Sequence, residues 1–246
     1  MKKTTAIIVS LFCMIASANA QKKTFANDTN LLTEKQKKEG WQLLFDGVST
    51  IGWHTFNKTI LGSAWKVDGG TLHLDSSKKE GWQTANGGDI VYDKIFENFD
   101  FKIEWKISKG GNSGIMFYVQ EGKQYEYPWQ TGIECQVADN QNNEDGKIDK
   151  CRAGDLYDLV SCNKDVAKPE GVWNQLEIIS KNGKLRVFLN DVKVISTTIW
   201  DRNWKGLIDA TKFKEMPGFG TFRTGKIALQ DHGAAVWYRN IMIKKL

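Results

Sequence analysis

The stretch Thr131–Asp139 reads TGIECQVAD, and its residues alternate in kind. In an extended strand Ile133, Cys135 and Val137 point to one side and Glu134, Gln136 and Ala138 to the other, because successive side chains alternate with period two. A glutamate and a glutamine two apart, backed by an apolar stripe, suit a strand that packs on one face and lines a polar groove with the other. A carboxyl group there can take or give a proton, and an amide can hold a hydroxyl. A lone strand glutamate is more often merely solvated, and Gln136 beside it is what favours a groove.

Other residues offer chemistry with less local support. Ala228, Gln230 and His232 share one strand face if the alternation holds. A histidine beside the turn at Gly233 is as often structural as reactive. Arg239 stands in an otherwise apolar strand, where pairing with a carboxylate is about as common as ligand binding. Asn112 and Ser113 can simply shape a turn. Ser113 is no hydrolase nucleophile, since Gly111-Asn112-Ser113-Gly114 lacks the G-x-S-x-G spacing. His54 and His73 read as incidental surface or hairpin residues. Trp82, Trp129, Trp200 and Trp204 lie in loop-like stretches, where one or two can stack on a flat ligand face and the rest pack.

No cofactor is called for. The one metal candidate is calcium at Asn143–Asp149, NEDGKID. Read as an EF-hand, it puts Gln141 at position one and Arg152 at position twelve, where a bidentate glutamate belongs.

The elements that must position these residues are strands. From Trp41 onward, short segments rich in aromatic and β-branched residues alternate with glycine-bearing turns. The expected strands are Trp41–Phe45, Trp65–Val67, Thr71–Leu74, Asp89–Val91, Phe99–Ile107, Gly114–Gln120, Gly132–Ala138, Trp173–Ser180, Lys184–Leu189, Val192–Thr198, Gly225–Gln230 and Val236–Ile243. Asp68-Gly69-Gly70 and Asn182-Gly183 signal hairpins, because these residues tolerate the positive φ of such turns. One short helix is expected within Leu31–Glu39. Asn203–Thr224 reads as a turn-rich stretch. Many strands and few helices imply an all-β sandwich or jelly roll over residues 41–246, preceded by a polar segment, Gln21–Gly40.

The first twenty residues read as an export leader. Lys2 and Lys3 precede a short apolar run, and Ala18-Asn19-Ala20 is a small-x-small cleavage site. The expectation is a periplasmic or secreted protein with no membrane span. The net charge of +5, two units of which belong to the leader, is too small and dispersed to argue for nucleic acid. Ten tryptophans and twelve phenylalanines can supply a large core. Beyond the leader lie Cys135, Cys151 and Cys162. A Cys151–Cys162 disulfide is allowed by the compartment, but an odd count is not a disulfide scaffold.

The short motifs, in order, resemble a known family. Leu44-Phe45-Asp46-Gly47 with Gly52-Trp53, Gly88-Asp89-Ile90, Phe101-Lys102-Ile103-Glu104-Trp105 and Gly111-Asn112-Ser113-Gly114-Ile115 are similar to the first half of the 3-keto-disaccharide hydrolase domain. Gly132-Ile133-Glu134-Cys135-Gln136, Gly154-Asp155-Leu156-Tyr157-Asp158, Gly171-Val172-Trp173-Asn174, Leu229-Gln230-Asp231-His232-Gly233 and Val236-Trp237-Tyr238-Arg239-Asn240-Ile241 continue it. The resemblance implies a concanavalin A-like jelly roll in an exported bacterial protein, acting on glycosides already oxidised at C3. It also implies an upstream sugar oxidoreductase as a partner. The chain departs from many relatives after Gln136, where a histidine gives way to Asp139-Asn140-Gln141-Asn142-Asn143-Glu144-Asp145-Gly146.

Ordinary glycoside hydrolysis needs two carboxyl groups about 5–5.5 Å apart for retention or about 6.5–9.5 Å for inversion. Two residues on from Glu134 stands an amide, so a second carboxylate must come from elsewhere, with Glu104 and Asp158 as candidates. A 3-keto sugar permits another route. Its C2 hydrogen is acidic, so one base, one donor to the enolate oxygen and one acid suffice. Glu134 or His232 is the expected base. Arg239, Gln136 or Gln230 is the expected donor, with Asn112, Tyr157 and Trp129 as further substrate contacts. A non-catalytic carbohydrate-binding module and a two-carboxylate glycosidase are the alternatives.

Overall fold

The computed structural model describes residues 29–246. The leader and its cleavage site after Ala20 lie outside the described residues. Fifteen strands follow: β1 (Gln42–Leu43), β2 (Trp53–Thr55), β3 (Trp65–Asp68), β4 (Thr71–Leu74), β5 (Lys79–Glu80), β6 (Gln83–Thr84), β7 (Ile90–Tyr92) and β8 (Phe99–Ile107). Then come β9 (Asn112–Val119), β10 (Ile133–Ala138), β11 (Asn174–Lys181), β12 (Lys184–Leu189), β13 (Val192–Thr198), β14 (Lys226–Leu229) and β15 (Val236–Lys245). Two helices accompany them, α1 (Glu34–Lys38) and α2 (Arg202–Asp209).

The strands form a jelly-roll sandwich of two antiparallel sheets. One sheet runs β13-β12-β11-β8-β15-β4-β3, with β1 paired to β15. The other runs β10-β9-β14-β7-β2. A separate hairpin, β5-β6, stands apart from both. In β8, Phe99, Phe101, Ile103, Trp105 and Ile107 are buried, while Lys102, Glu104 and Lys106 alternate outward half-buried. Each fully buried side chain of that size contributes about 1.5–3 kcal/mol. Opposite them, Ile115, Phe117, Ile133, Cys135 and Val137 of β9 and β10 complete one continuous core.

The hairpin turns follow the turn residues. Asp68 pairs with Thr71 across Gly69 and Gly70 at φ 54° and 76°. Lys181 pairs with Lys184 across Asn182 and Gly183 at φ 49° and 77°. Positive φ at both central residues matches the twist of the flanking strands.

Some expectations need correction. β2 and the β5-β6 hairpin were too short and too polar to show a period. Within the stretch read as turns, α2 forms a two-turn helix. Asp201 caps it, accepting the Trp204 amide at 2.8 Å, and Trp204 and Ile208 are buried at i, i+4 spacing. Gly206 inside the helix obscured that signal. The N-terminal helix is shorter than Leu31–Glu39, and Thr33 sets its start through a capping box with Gln36. Cys151 and Cys162 are free thiols, as is Cys135, so the candidate disulfide is not formed. Among the described residues no helix is long and apolar enough to cross a membrane.

Candidate active site

The outward face of the five-stranded sheet carries the site. Glu134 and Gln136 of β10 point there, opposite the core-facing Ile133, Cys135 and Val137. Their strand neighbours are Met116 and Gly114 of β9. Gly114 decides where Glu134 goes. A Cβ on Gly114 would lie 1.9 Å from Glu134 Oε1, so the carboxyl group rests directly on bare β9 backbone. Gly114→Ala is expected to eject that carboxyl, cutting turnover at least tenfold and costing about 1–3 kcal/mol of stability. Activity and urea unfolding measured together check this, and wild-type turnover in a stable Ala variant contradicts it.

Above this floor lies a cavity of about 220 Å³. Its polar lining is Glu134, Gln136, Asn112, Gln230, Asp145 and Tyr157, with His232 at the mouth. Trp82, Trp129, Phe213 and Lys212 complete the walls. Tyr127 and Trp129 stack with centroids 5.1 Å apart and planes 9° apart. Trp82 leans on both Tyr127 and His232 at 5.4 Å. Such an aromatic rim offers flat faces to a sugar ring.

Glu134 is 7% exposed, and no hydrogen bond to its carboxyl group is found among the described residues. Burial, reinforced by the nearby Asp89 carboxyl, pushes its pKa up to about 8; Lys212 pulls the other way. At neutral pH it is therefore an acid holding its proton. His232 is shifted oppositely. Partial burial against the cavity wall lowers its pKa below the usual imidazole value, which favours the neutral ring, although the residue as a whole is exposed. Asp145 Oδ2 accepts from Asn112 Nδ2 at 2.7 Å and Gln136 Nε2 at 3.3 Å, which fixes both amides. The side-chain oxygens of Gln136 and Gln230 are left without partners. Two unsatisfied acceptors in a cavity wall suit hydroxyl donors on a ligand.

Beneath His232, Asp231 is fully buried. Its two oxygens accept from Thr84 N, Thr84 Oγ1, Gly88 N and Gly233 N at 2.8–3.2 Å. This one carboxylate ties the β5-β6 hairpin carrying Trp82 to the segment carrying His232. Asp89, also buried, accepts the Asp231 amide at 2.8 Å, and burial pushes its pKa up to about 8.

Of the residues expected at the site, Glu134, Gln136, Gln230, His232, Asn112, Tyr157 and Trp129 converge on this cavity. Arg239 does not. It lies on β15 in the other sheet, where Nε donates to Glu104 Oε2 at 2.7 Å and the guanidinium covers Trp173 at 4.0 Å. That pair also removes Glu104 as a second carboxylate. Asp158 sits in a turn at φ 63° outside the cavity lining. Ser113 is buried, donating to the Gln230 carbonyl at 2.6 Å. Trp200 and Trp204 line a different hollow, against α2.

Sequence reasoning met Asp145 only inside the calcium candidate and missed Lys212 and Phe213; all three sit between strands, with no period to reveal them. Asp89 carried a signal, since it alternates with Ile90 and therefore shares the face of Val91. Among the described residues no group of three or more His, Cys, Asp or Glu side chains is placed to hold a metal ion. In the acidic loop, Asp139 is occupied by Gly110 N and Asn142 Nδ2, and Asp145 by the two amides above.

A jelly roll with an acid, an imidazole and an aromatic rim gathered on one sheet face defines a carbohydrate-active enzyme of the concanavalin A-like class. More narrowly, the chain belongs to the 3-keto-alpha-glucoside-1,2-lyase-like domain family, whose profile matches residues 40–244. It is 31% identical to the 3-keto-disaccharide hydrolase of Bacteroides thetaiotaomicron, over 98% of this chain and 94% of that one. A crystal structure of a candidate glycosyl hydrolase from Parabacteroides distasonis superposes with a TM-score of 0.80 at 34% identity, covering 89% of this chain and 99% of that one. A carbohydrate-binding module of Bacillus subtilis, 13% identical with a TM-score of 0.50, covers 79% of this chain and 96% of that one and shares the fold.

Proposed function

We propose that this glycoside-cleaving hydrolase acts on 3-keto glycosides by elimination followed by addition of water. The observation that carries the reading is that Glu134, buried and without a hydrogen-bond partner among the described residues, and His232 line one cavity, where burial raises the pKa of the first and lowers that of the second. Neutral His232 removes the proton at C2, and the C–H electrons form the enolate of the C3 ketone. The enolate collapses, C1–C2 becomes a double bond, and the C1–O bond breaks. Glu134 gives its proton to the departing oxygen. Water then adds at C1 and a proton returns to C2, so the net change is hydrolysis. Gln136 and Gln230 offer acceptors to sugar hydroxyls, and Trp129 and Trp82 offer ring faces.

The cavity is smaller than the roughly 300–1,000 Å³ of drug-sized pockets, which supports one sugar ring inside with the leaving group toward the mouth. A substrate of this kind requires an oxidation of the C3 hydroxyl beforehand, by a partner oxidoreductase. The first twenty residues read as an export leader, which supports a reaction in the periplasm or outside the cell.

A second reading has one observation in its favour. Asp145 lines the same cavity as Glu134, so two carboxyl groups are present, as in a conventional glycosidase. Against it, both amide donors already hold one oxygen of Asp145. Matched glycosides, native and C3-oxidised, separate the two. Only the oxidised one is expected to be cleaved, with the C1–C2 enone detectable early. Cleavage of the native glycoside alone overturns the keto-sugar reading. A non-catalytic module has no use for a buried protonated acid.

A further inference from the structure

The elimination leaves negative charge on the C3 oxygen, and the cavity holds one side chain suited to meet it. Among the lining residues Lys212 alone carries a permanent positive charge. It opens a turn of 3-10 helix, Lys212–Glu215. Thr211 fixes the start, its Oγ1 accepting from Phe213 N at 3.2 Å. Phe213 fixes the body, being 2% exposed and stacked on Phe219 at 3.7 Å. The backbone is thus anchored while the lysine stem is free to reach over the cavity. Its Nζ stands 4.7 Å from the centroid of Tyr157 and 5.4 Å from that of Phe213.

Neighbouring lysines are already committed. Lys205 pairs with Asp209, and Lys214 reaches Glu215 at 3.8 Å. Among the described residues Lys212 enters no ion pair. A cation resting beside aromatic faces is drawn to their π-electrons, which favours positions of the ammonium group over the cavity. Its field is felt on the cavity floor, where it favours the ionised form of Glu134.

We propose that Lys212 is a further catalytic residue, whose ammonium group holds the C3 oxygen and stabilises the enolate formed when the C2 proton leaves. The assignment rests on the keto-sugar reading above. It gives the electrostatic part to Lys212, in place of Arg239. The Gln136 amide already donates to Asp145, whereas the full positive charge of Lys212 holds an enolate oxygen more strongly than a ketone oxygen, and only that difference accelerates the step.

The test follows exchange of the C2 hydrogen of the free 3-keto sugar in deuterium oxide, above the uncatalysed rate, beside turnover of a 3-keto disaccharide. Exchange reports enolate formation without any leaving group. Lys212→Met is expected to slow both about 10²-fold, the typical loss of one preorganised stabilising group, with KM changed less than threefold. Lys212→Arg, which keeps the charge, is expected to recover part of both rates. Lys212 is exposed, so neither variant should alter the unfolding midpoint. Wild-type exchange in Lys212→Met overturns this assignment and leaves the keto-sugar reading standing. An unaltered protein that turns over native glycosides but exchanges nothing overturns both.

Discussion

Glu134→Gln is expected to lower kcat/KM on a 3-keto disaccharide by about 10²–10⁴, the usual contribution of a positioned acid. The size of the loss should depend on what departs. A sugar alkoxide needs the proton, so it should show the full effect. A 4-nitrophenolate leaves unaided, so a 3-keto nitrophenyl glucoside should lose far less. The pH profile carries the same signature. Glu134 is pushed up to about 8, so the acid is present below that value and is lost as pH rises through it. His232 is lowered from the usual imidazole value, so the base is present above its depressed pKa and lost as pH falls through it. The wild-type profile should therefore be a bell whose alkaline limb lies near pH 8. Glu134→Gln should abolish that limb and keep the acidic one. Activity that instead climbs through pH 8 makes Glu134 the base, and equal losses on both leaving groups remove the acid role altogether.

Asp231→Ala should be the most damaging single substitution for stability. It strips the partner from the amides of Thr84, Gly88 and Gly233 and from the Thr84 hydroxyl, all buried or partly buried. Each buried donor left alone costs about 1–3 kcal/mol. Some will find water in the space vacated, so the expected loss is about 3–5 kcal/mol, at the upper end for one residue. For a chain of this length that lowers Tm by very roughly 6–20 °C. Activity should fall further than stability explains, because the same carboxylate locates both Trp82 and His232. A urea midpoint shift equivalent to under about 1 kcal/mol would show that the tether is dispensable.

The core strands were legible because their signal is local. Phe99, Phe101, Ile103, Trp105 and Ile107 announce β8 by alternation alone, and its bounds are those expected from sequence. Gly69-Gly70 and Asn182-Gly183 announce their hairpins by backbone tolerance. The alternation of Ile133, Cys135 and Val137 likewise placed Glu134 and Gln136 on the far face of β10. What the alternation could not give was the depth of that face. All six residues of β10 are buried: Ile133, Cys135 and Val137 in the core, and Glu134 and Gln136 beneath the segments that carry Trp82, Trp129, Asp145 and Phe213. Burial is what turns Glu134 from an ordinary carboxylate into an acid at neutral pH.

By itself, the sequence determined the all-β sandwich, the direction Glu134 faces and most of the polar groups around it. These follow from side-chain period and turn chemistry, which act between near neighbours. Only the tertiary structure sent Arg239 to the opposite sheet, brought Lys212 and Asp145 onto the cavity, and left the cysteines unpaired. Those outcomes depend on which strands become neighbours and where long loops cross, and contacts between residues a hundred positions apart leave no period in the chain.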